Sequence, residues 1–150
     1  GANVERLLKY TGGHVTGLDY SELSVSETRK RNKAEIEKGR CSVVRGNVAC
    51  LPFEDETFDV ITAFETIYFW PGLESCFAGV YRCLKKGGVF MIVNECAGHK
   101  EENLKYQSMI DGMVIYTSGQ IKDALISAGF KDIYVDEIIE KDHICVLAYK

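Results

Sequence analysis

Two short runs constrain this chain more than anything else in it. Residues 59–64 are broken by polar character only at Thr62 once past Asp59, and residues 89–93, Val-Phe-Met-Ile-Val, carry no polar side chain at all. A strand with one face in water alternates apolar and polar positions, so runs without alternation suit strands buried on both faces of a parallel sheet. Parallel neighbours need a crossover of about a dozen residues or more, usually helical. The interval between the runs supplies one. Leu73, Phe77, Val80, Tyr81 and Leu84 share a helical face, and Lys85-Lys86-Gly87-Gly88 closes the helix with cations at the negative end of its dipole.

The same alternation continues in both directions. Upstream, Asn3 predicts an N-cap for a helix carrying Val4, Leu7 and Leu8, which Thr11-Gly12-Gly13 stops. A strand over 14–18 ends at Asp19. Ser21, or Ser24 with Glu27 as a capping box, opens a polar helix reaching Gly39. A valine-rich strand at 41–45 leads into a loop over 46–55. Downstream, residues 94–117 pattern weakly, with a helix over 101–110. Ser118 caps a helix through Ile121, Ala124, Leu125 and Ala128 that Gly129 ends. Strands at 131–139 and 143–149 flank Glu140-Lys141-Asp142, a connection short enough for a hairpin. These elements predict an open, doubly wound α/β sheet with right-handed crossovers and an antiparallel closing strand. Ligands in such sheets bind beyond the carboxyl ends of the strands. That points to Asp19-Tyr20, Gly46-Asn47-Val48, Phe64-Glu65-Thr66 and Asn94-Glu95.

Composition narrows the class. With 150 residues, 46% hydrophobic and 27% charged, the expectation is one globular domain spanning 1–150 that needs neither disulfides nor metal. Eighteen basic against 22 acidic residues, a net charge of −4, argues against a nucleic-acid partner. The cluster Arg29, Lys30, Arg31 and Lys33 reads as a solvated helix face. The six cysteines form no spacing that suits zinc and read as reduced, buried hydrophobes; no metal is expected. No apolar run approaches the roughly 18 residues of a membrane span, so a cytoplasmic protein without a membrane partner is expected.

Asp19 carries the first chemical signal. In nucleotide-binding α/β sheets an acidic residue at a strand end, about 20 positions past a glycine-rich turn, accepts both hydroxyls of a ribose. The competing role is to cap the next helix. Taken together, Val15-Thr-Gly-Leu-Asp19-Tyr-Ser21, Gly46-Asn-Val-Ala-Cys-Leu-Pro-Phe53, Phe58-Asp-Val-Ile-Thr-Ala-Phe64, Val80-Tyr-Arg-Cys-Leu-Lys-Lys-Gly-Gly-Val89 and Ser127-Ala-Gly-Phe130 make the chain resemble a class I S-adenosylmethionine-dependent methyltransferase of the small-molecule type.

The resemblance implies a Rossmann-like sheet in the order 3-2-1-4-5-7-6 with strand 7 antiparallel. It also implies that strand 1 and most of the glycine-rich loop are missing, Gly1 being the loop's last glycine. The two sheet edges left exposed would favour self-association. By the same resemblance Asp19 holds the cofactor ribose, Tyr20 lies along the adenine, Asn47 reads the adenine amino group, Val48 offers a backbone N–H, and Phe64 presents backbone to the methionine end. Methyl transfer is a direct displacement, so the chain must align acceptor, methyl and sulfur and exclude water. Residues 65–71 are the stretch expected to meet the small-molecule acceptor, with Glu65 and Tyr68 as catalytic candidates. Tyr68, Phe69 and Trp70 either wall the pocket near the positive sulfur or pack the following helix onto the sheet. Trp70, Glu95 and His99 are candidate acceptor-binding residues. Two alternatives stand beside this reading: a nucleotide-binding domain of the NAD type, and a fragment without activity as given.

Overall fold

The computed structural model describes all of Gly1–Lys150. Its contacts divide into two compact units, Gly1–Cys50 and Leu51–Lys150. No helix is long and apolar enough to cross a membrane.

In the first unit α1 (Ala2–Tyr10), β1 (Val15–Asp19), α2 (Glu22–Arg31), α3 (Lys33–Glu37) and β2 (Cys41–Arg45) follow in order. The strands pair in parallel from Val15 opposite Cys41 to Asp19 opposite Arg45. Leu8, Val15, Val25, Cys41 and Val43 form the core, with Val4, Leu7 and Ile36 packed against it. α1 begins two residues earlier than expected: Gly1 is its N-cap and Asn3 lies inside it. Ser21 caps α2, its hydroxyl accepting from the Ser24 N–H, so the capping box at Ser24 is not used. The predicted single helix to Gly39 breaks at Asn32. Its buried side-chain amide donates to the Thr28 carbonyl at 2.9 Å and to the Gly1 carbonyl at 3.3 Å. Local bonding of this kind competes with helix continuation.

In the second unit β3 (Phe58–Phe64), a 3-10 turn at Ile67–Phe69, α4 (Leu73–Cys83), β4 (Leu84–Asn94), α5 (Glu101–Met109), α6 (Ser118–Ser127), β5 (Asp132–Ile138), a 3-10 turn at Ile139–Lys141 and β6 (His143–Tyr149) build a four-stranded sheet in the order β3-β4-β6-β5. β3 and β4 are parallel, whereas β6 runs antiparallel to both its neighbours. The two sheets therefore reproduce the neighbours 3-2 and 4-5-7-6 of the expected order, and β1 and β3 each keep one edge unpaired.

Three local expectations need correction. Lys85-Lys86-Gly87-Gly88 does not close α4; it is the out-of-register start of β4, where Lys85 pairs with Asp59 at 2.9 Å. Gly88 is required there, because a Cβ would lie 2.9 Å from the Lys85 carbonyl oxygen and 3.0 Å from that of Asp59. β3 is not buried on both faces: Val60 is 54% exposed, and only Ala63 of the strand is fully buried. Finally, Thr117 rather than Ser118 caps α6, in a reciprocal capping box with Gln120.

The core of this unit lies on one face of the sheet. Phe90, Ile92, Ile144, Val146 and Ala148, all buried, meet Phe77 and Val80 of α4 and Ile121 and Leu125 of α6. Each of these side chains other than Ala148 contributes about 1.5–3 kcal/mol by burial. The pleat places Asn94 on the same face as Phe90 and Ile92, fully buried, with neither amide atom hydrogen-bonded. An unpartnered buried amide costs about 1–3 kcal/mol, so Asn94→Leu is expected to stabilise the fold by that order. Urea denaturation reads the change; a loss of stability would mean that the amide is satisfied in solution.

Candidate functional site

The exits of β1 and β2 meet in the first unit. The Asp19 carbonyl accepts the Gly46 N–H at 3.0 Å, and Asp19 Oδ1 accepts the Ser21 N–H at 2.9 Å. Asp19 thus holds the turn while Ser21 does the capping. Its second carboxylate oxygen takes no hydrogen bond from the chain and remains available to a diol. Tyr20 beside it is 74% exposed. Asn47 closes its own turn, its Oδ1 accepting the Ala49 N–H at 2.9 Å and its carbonyl the Cys50 N–H at 3.0 Å. The amide oxygen therefore keeps one lone pair for a ligand. Val48 is half-buried within that turn. Gly1 packs so closely on α2 that a Cβ would lie 3.0 Å from both Thr28 Cα and Thr28 Oγ1.

The exits of β3 and β4 meet in the second unit, and one carboxylate joins them. Glu65 stands just past Phe64 with φ 55, a left-handed conformation uncommon for a residue other than glycine. Its N–H donates to the Val93 carbonyl at 3.0 Å. Its Oε1 accepts the Glu95 N–H at 2.7 Å, and its Oε2 accepts the Tyr68 hydroxyl at 3.0 Å. That hydroxyl in turn accepts the Cys96 N–H at 3.0 Å. Burial raises the carboxyl pKa of Glu65 despite the opposing bonds from Tyr68 and the Glu95 amide. Burial also raises Tyr68 far above its usual value, keeping it a neutral donor.

Other predicted residues take distinct places. Tyr68 is buried with Met113 and Ile115, while Phe69 is 49% exposed. Trp70 packs on the core, edge-on to Phe77 at 5.8 Å and stacked on Phe90 at 6.1 Å. Glu95 is exposed. His99 Nε2 lies 3.2 Å from Glu137 Oε1, and its backbone N–H donates to Asp142 Oδ1 at 2.8 Å. Asp142 was not among the expected residues. A connection of three polar residues gives no sign that one of them will be buried, and only the return of residues 97–103 onto the hairpin reveals it.

Parallel strands joined through α4, a carboxylate at a strand exit and an antiparallel closing strand define the α/β class that binds nucleotide-type cofactors at strand ends. Within that class the chain belongs to the methyltransferase domain family, whose match covers residues 1–92. Cycloartenol-C-24-methyltransferase 1 of Oryza sativa subsp. japonica is 27% identical over 93% of the chain and 43% of its own length. A sterol 24-C-methyltransferase of Gibberella zeae is 33% identical over 60% of the chain and 24% of its own length. The chain thus spans less than half the length of these relatives. Among solved structures, phosphoethanolamine N-methyltransferase 2 of Haemonchus contortus in complex with S-adenosyl-L-methionine superposes with a TM-score of 0.86, at 19% identity, over 100% of this chain and 46% of that one. Geranyl diphosphate C-methyltransferase of Streptomyces coelicolor A3(2) does so with a TM-score of 0.82, at 14% identity, over 99% and 69%.

The raised pKa of Glu65 has a signed consequence. A carboxyl that is harder to ionise in the folded state contributes stability that is full below its ordinary pKa and is lost as pH rises through the raised one. Glutamine can accept the Glu95 N–H and donate to Tyr68 without ionising. Thermal melts from about pH 4 to 8 are therefore expected to show wild type losing stability relative to Glu65→Gln as pH rises. A difference independent of pH would contradict the raised value.

Proposed function

We propose that this chain forms a single domain for S-adenosylmethionine-dependent methyl transfer to an apolar, isoprenoid small molecule. The observation that carries the reading is the free carboxylate oxygen of Asp19 at a strand exit in a chain of the methyltransferase domain family. The single-domain part is supported by superposition of the whole chain on one solved methyltransferase. The acceptor class is supported by the sterol and squalene methyltransferases among the relatives. It is also supported by exposed apolar side chains in the second unit, namely Phe69, Leu104, Tyr106, Met109, Ile110 and Val114.

When bound, the cofactor supplies an electrophilic methyl on a sulfonium. Asp19 accepts the ribose hydroxyls through its free oxygen, Tyr20 offers its exposed ring to the adenine, and Asn47 uses its remaining lone pair for the adenine amino group. Gly1, Val48 and Phe64 contribute backbone. In the second unit Glu65 is the group to receive the proton that the acceptor sheds, held in aim by Glu95 N–H and Tyr68. Glu95, whose backbone is tied to Glu65, and His99, held by Glu137 and Asp142, are the acceptor-binding groups, with Trp70 packed on Phe90. The reading places the protein in the cytoplasm and, through the unpaired edges of β1 and β3, in self-associated form.

Calorimetry with S-adenosylhomocysteine is expected to give binding that Asp19→Ala weakens at least about tenfold, the order expected for charge-assisted bonds. Absence of binding, or indifference to the substitution, would overturn the cofactor assignment. Radiolabelled methyl transfer to cycloartenol, squalene or geranyl diphosphate tests the acceptor class, and transfer only to polar amines would reject it. In light scattering a strictly monomeric chain would reject self-association.

A further inference from the structure

Asp142 is fully buried, yet it lies in the connection between β5 and β6. Its backbone is left-handed, with φ 61 and ψ 26, and its N–H donates to the Ile139 carbonyl at 3.1 Å. The turn alone asks only for a residue at ease in that conformation, which glycine or asparagine supplies without burying a charge. The carboxylate does something else. Oδ1 accepts the His99 N–H at 2.8 Å and Oδ2 accepts Asn103 Nδ2 at 2.7 Å. Burial pulls its pKa upward, but the bonds from Asn103 and from the His99 and Ala97 amides outweigh it and leave the group below its ordinary value.

The element these bonds reach has little else to hold it. α5 contains no buried residue, and Leu104, Tyr106 and Met109 along it are exposed. Apart from Asp142, its side-chain tie to the rest of the unit is Gln107 Oε1, which accepts the Ile115 N–H at 2.7 Å. His99 is held twice from the hairpin, by Asp142 through its backbone and by Glu137 through its ring.

We propose that Asp142 is a positioning residue, whose buried carboxylate fixes residues 97–103 and the start of α5 where they face the methyl acceptor. The inference rests on the reading that the second unit handles the acceptor. It assigns to the β5–β6 connection a part in acceptor selection.

Asp142→Gly removes the carboxylate while easing the left-handed turn, so the hairpin itself is not strained. Asp142→Asn keeps the turn; its oxygen can accept from His99, and its amide can donate to Asn103 once that side chain flips. In hydrogen exchange, the His99 amide and the amides of α5 are expected to exchange at least about tenfold faster in Asp142→Gly, with Phe90 of β4 and Val146 of β6 unchanged, as for a locally released segment. With squalene or geranyl diphosphate as acceptor, KM is expected to rise about tenfold with kcat within about twofold, and S-adenosylhomocysteine affinity unchanged. Asp142→Asn is expected to restore both readouts. Unchanged exchange at residues 97–103, equal acceleration in β4 and β6, or a fall in kcat at constant KM would overturn the proposal. If wild type methylates none of these acceptors, the acceptor reading fails, while the exchange experiment still decides whether Asp142 holds the segment.

Discussion

β4 has a parallel neighbour on one edge and an antiparallel neighbour on the other, so its backbone polar groups are committed on both sides. With both edges satisfied, the pleat is free to present Phe90 and Ile92 to α4 and α6 without leaving a peptide group in the apolar interior. Everything else in the second unit is referred to this strand. β3 takes its register from it, β6 returns along it, and the residues at its exit inherit a fixed position. Glu65 exploits that fixity: its carboxylate receives an amide from beyond β4 and a hydroxyl from beyond β3, so one side chain registers the two exits against each other.

Past that exit the character of the stabilisation changes. Ala97 is still buried in the core, but residues 98–109 are held by directional polar contacts with Asp142, Glu137 and the Ile115 amide, with no fully buried side chain on α5. A segment held by a few hydrogen bonds opens at lower free-energy cost than one held by a packed face. The first unit shows the same division on a smaller scale. Its core is apolar, but Asp19, Ser21 and Gly46 at the strand exits are organised by hydrogen bonds.

Much of this was legible in the residues. The strand at Cys41–Arg45 and the closing pair follow from β-branched runs and a short connection, and Ser21 announces a cap. Boundaries failed where two local signals competed. Thr117 and Ser118 are both good caps, and Gln120 decides for Thr117 because a capping box needs its partner three residues on. Lys85 to Gly88 look like a helix end, yet the close approach of the Asp59 carbonyl to Gly88 draws them into the sheet. Asp19 and Glu65 were identifiable as carboxylates at strand exits, while Asn32 and Asp142 were not. Both are polar residues with partners tens of positions away, Gly1 for Asn32 in addition to the nearby Thr28, and His99 and Asn103 for Asp142.

By itself the sequence determined the alternation of strands and helices, the family, and which carboxylates stand at the carboxyl ends of strands. The alternation and the strand ends follow from periodicity and turn chemistry, which act over a few residues, and the family from the resemblance carried by its motifs. Only the tertiary structure decided which polar groups are buried and what each one holds: Glu65 across two strand exits, Asp142 beneath the segment after β4, and Asn94 within the core without a partner. The physical reason is that a hydrogen bond within a low-dielectric interior depends on where distant segments meet. That is a property of packing, and no local pattern of residues encodes it.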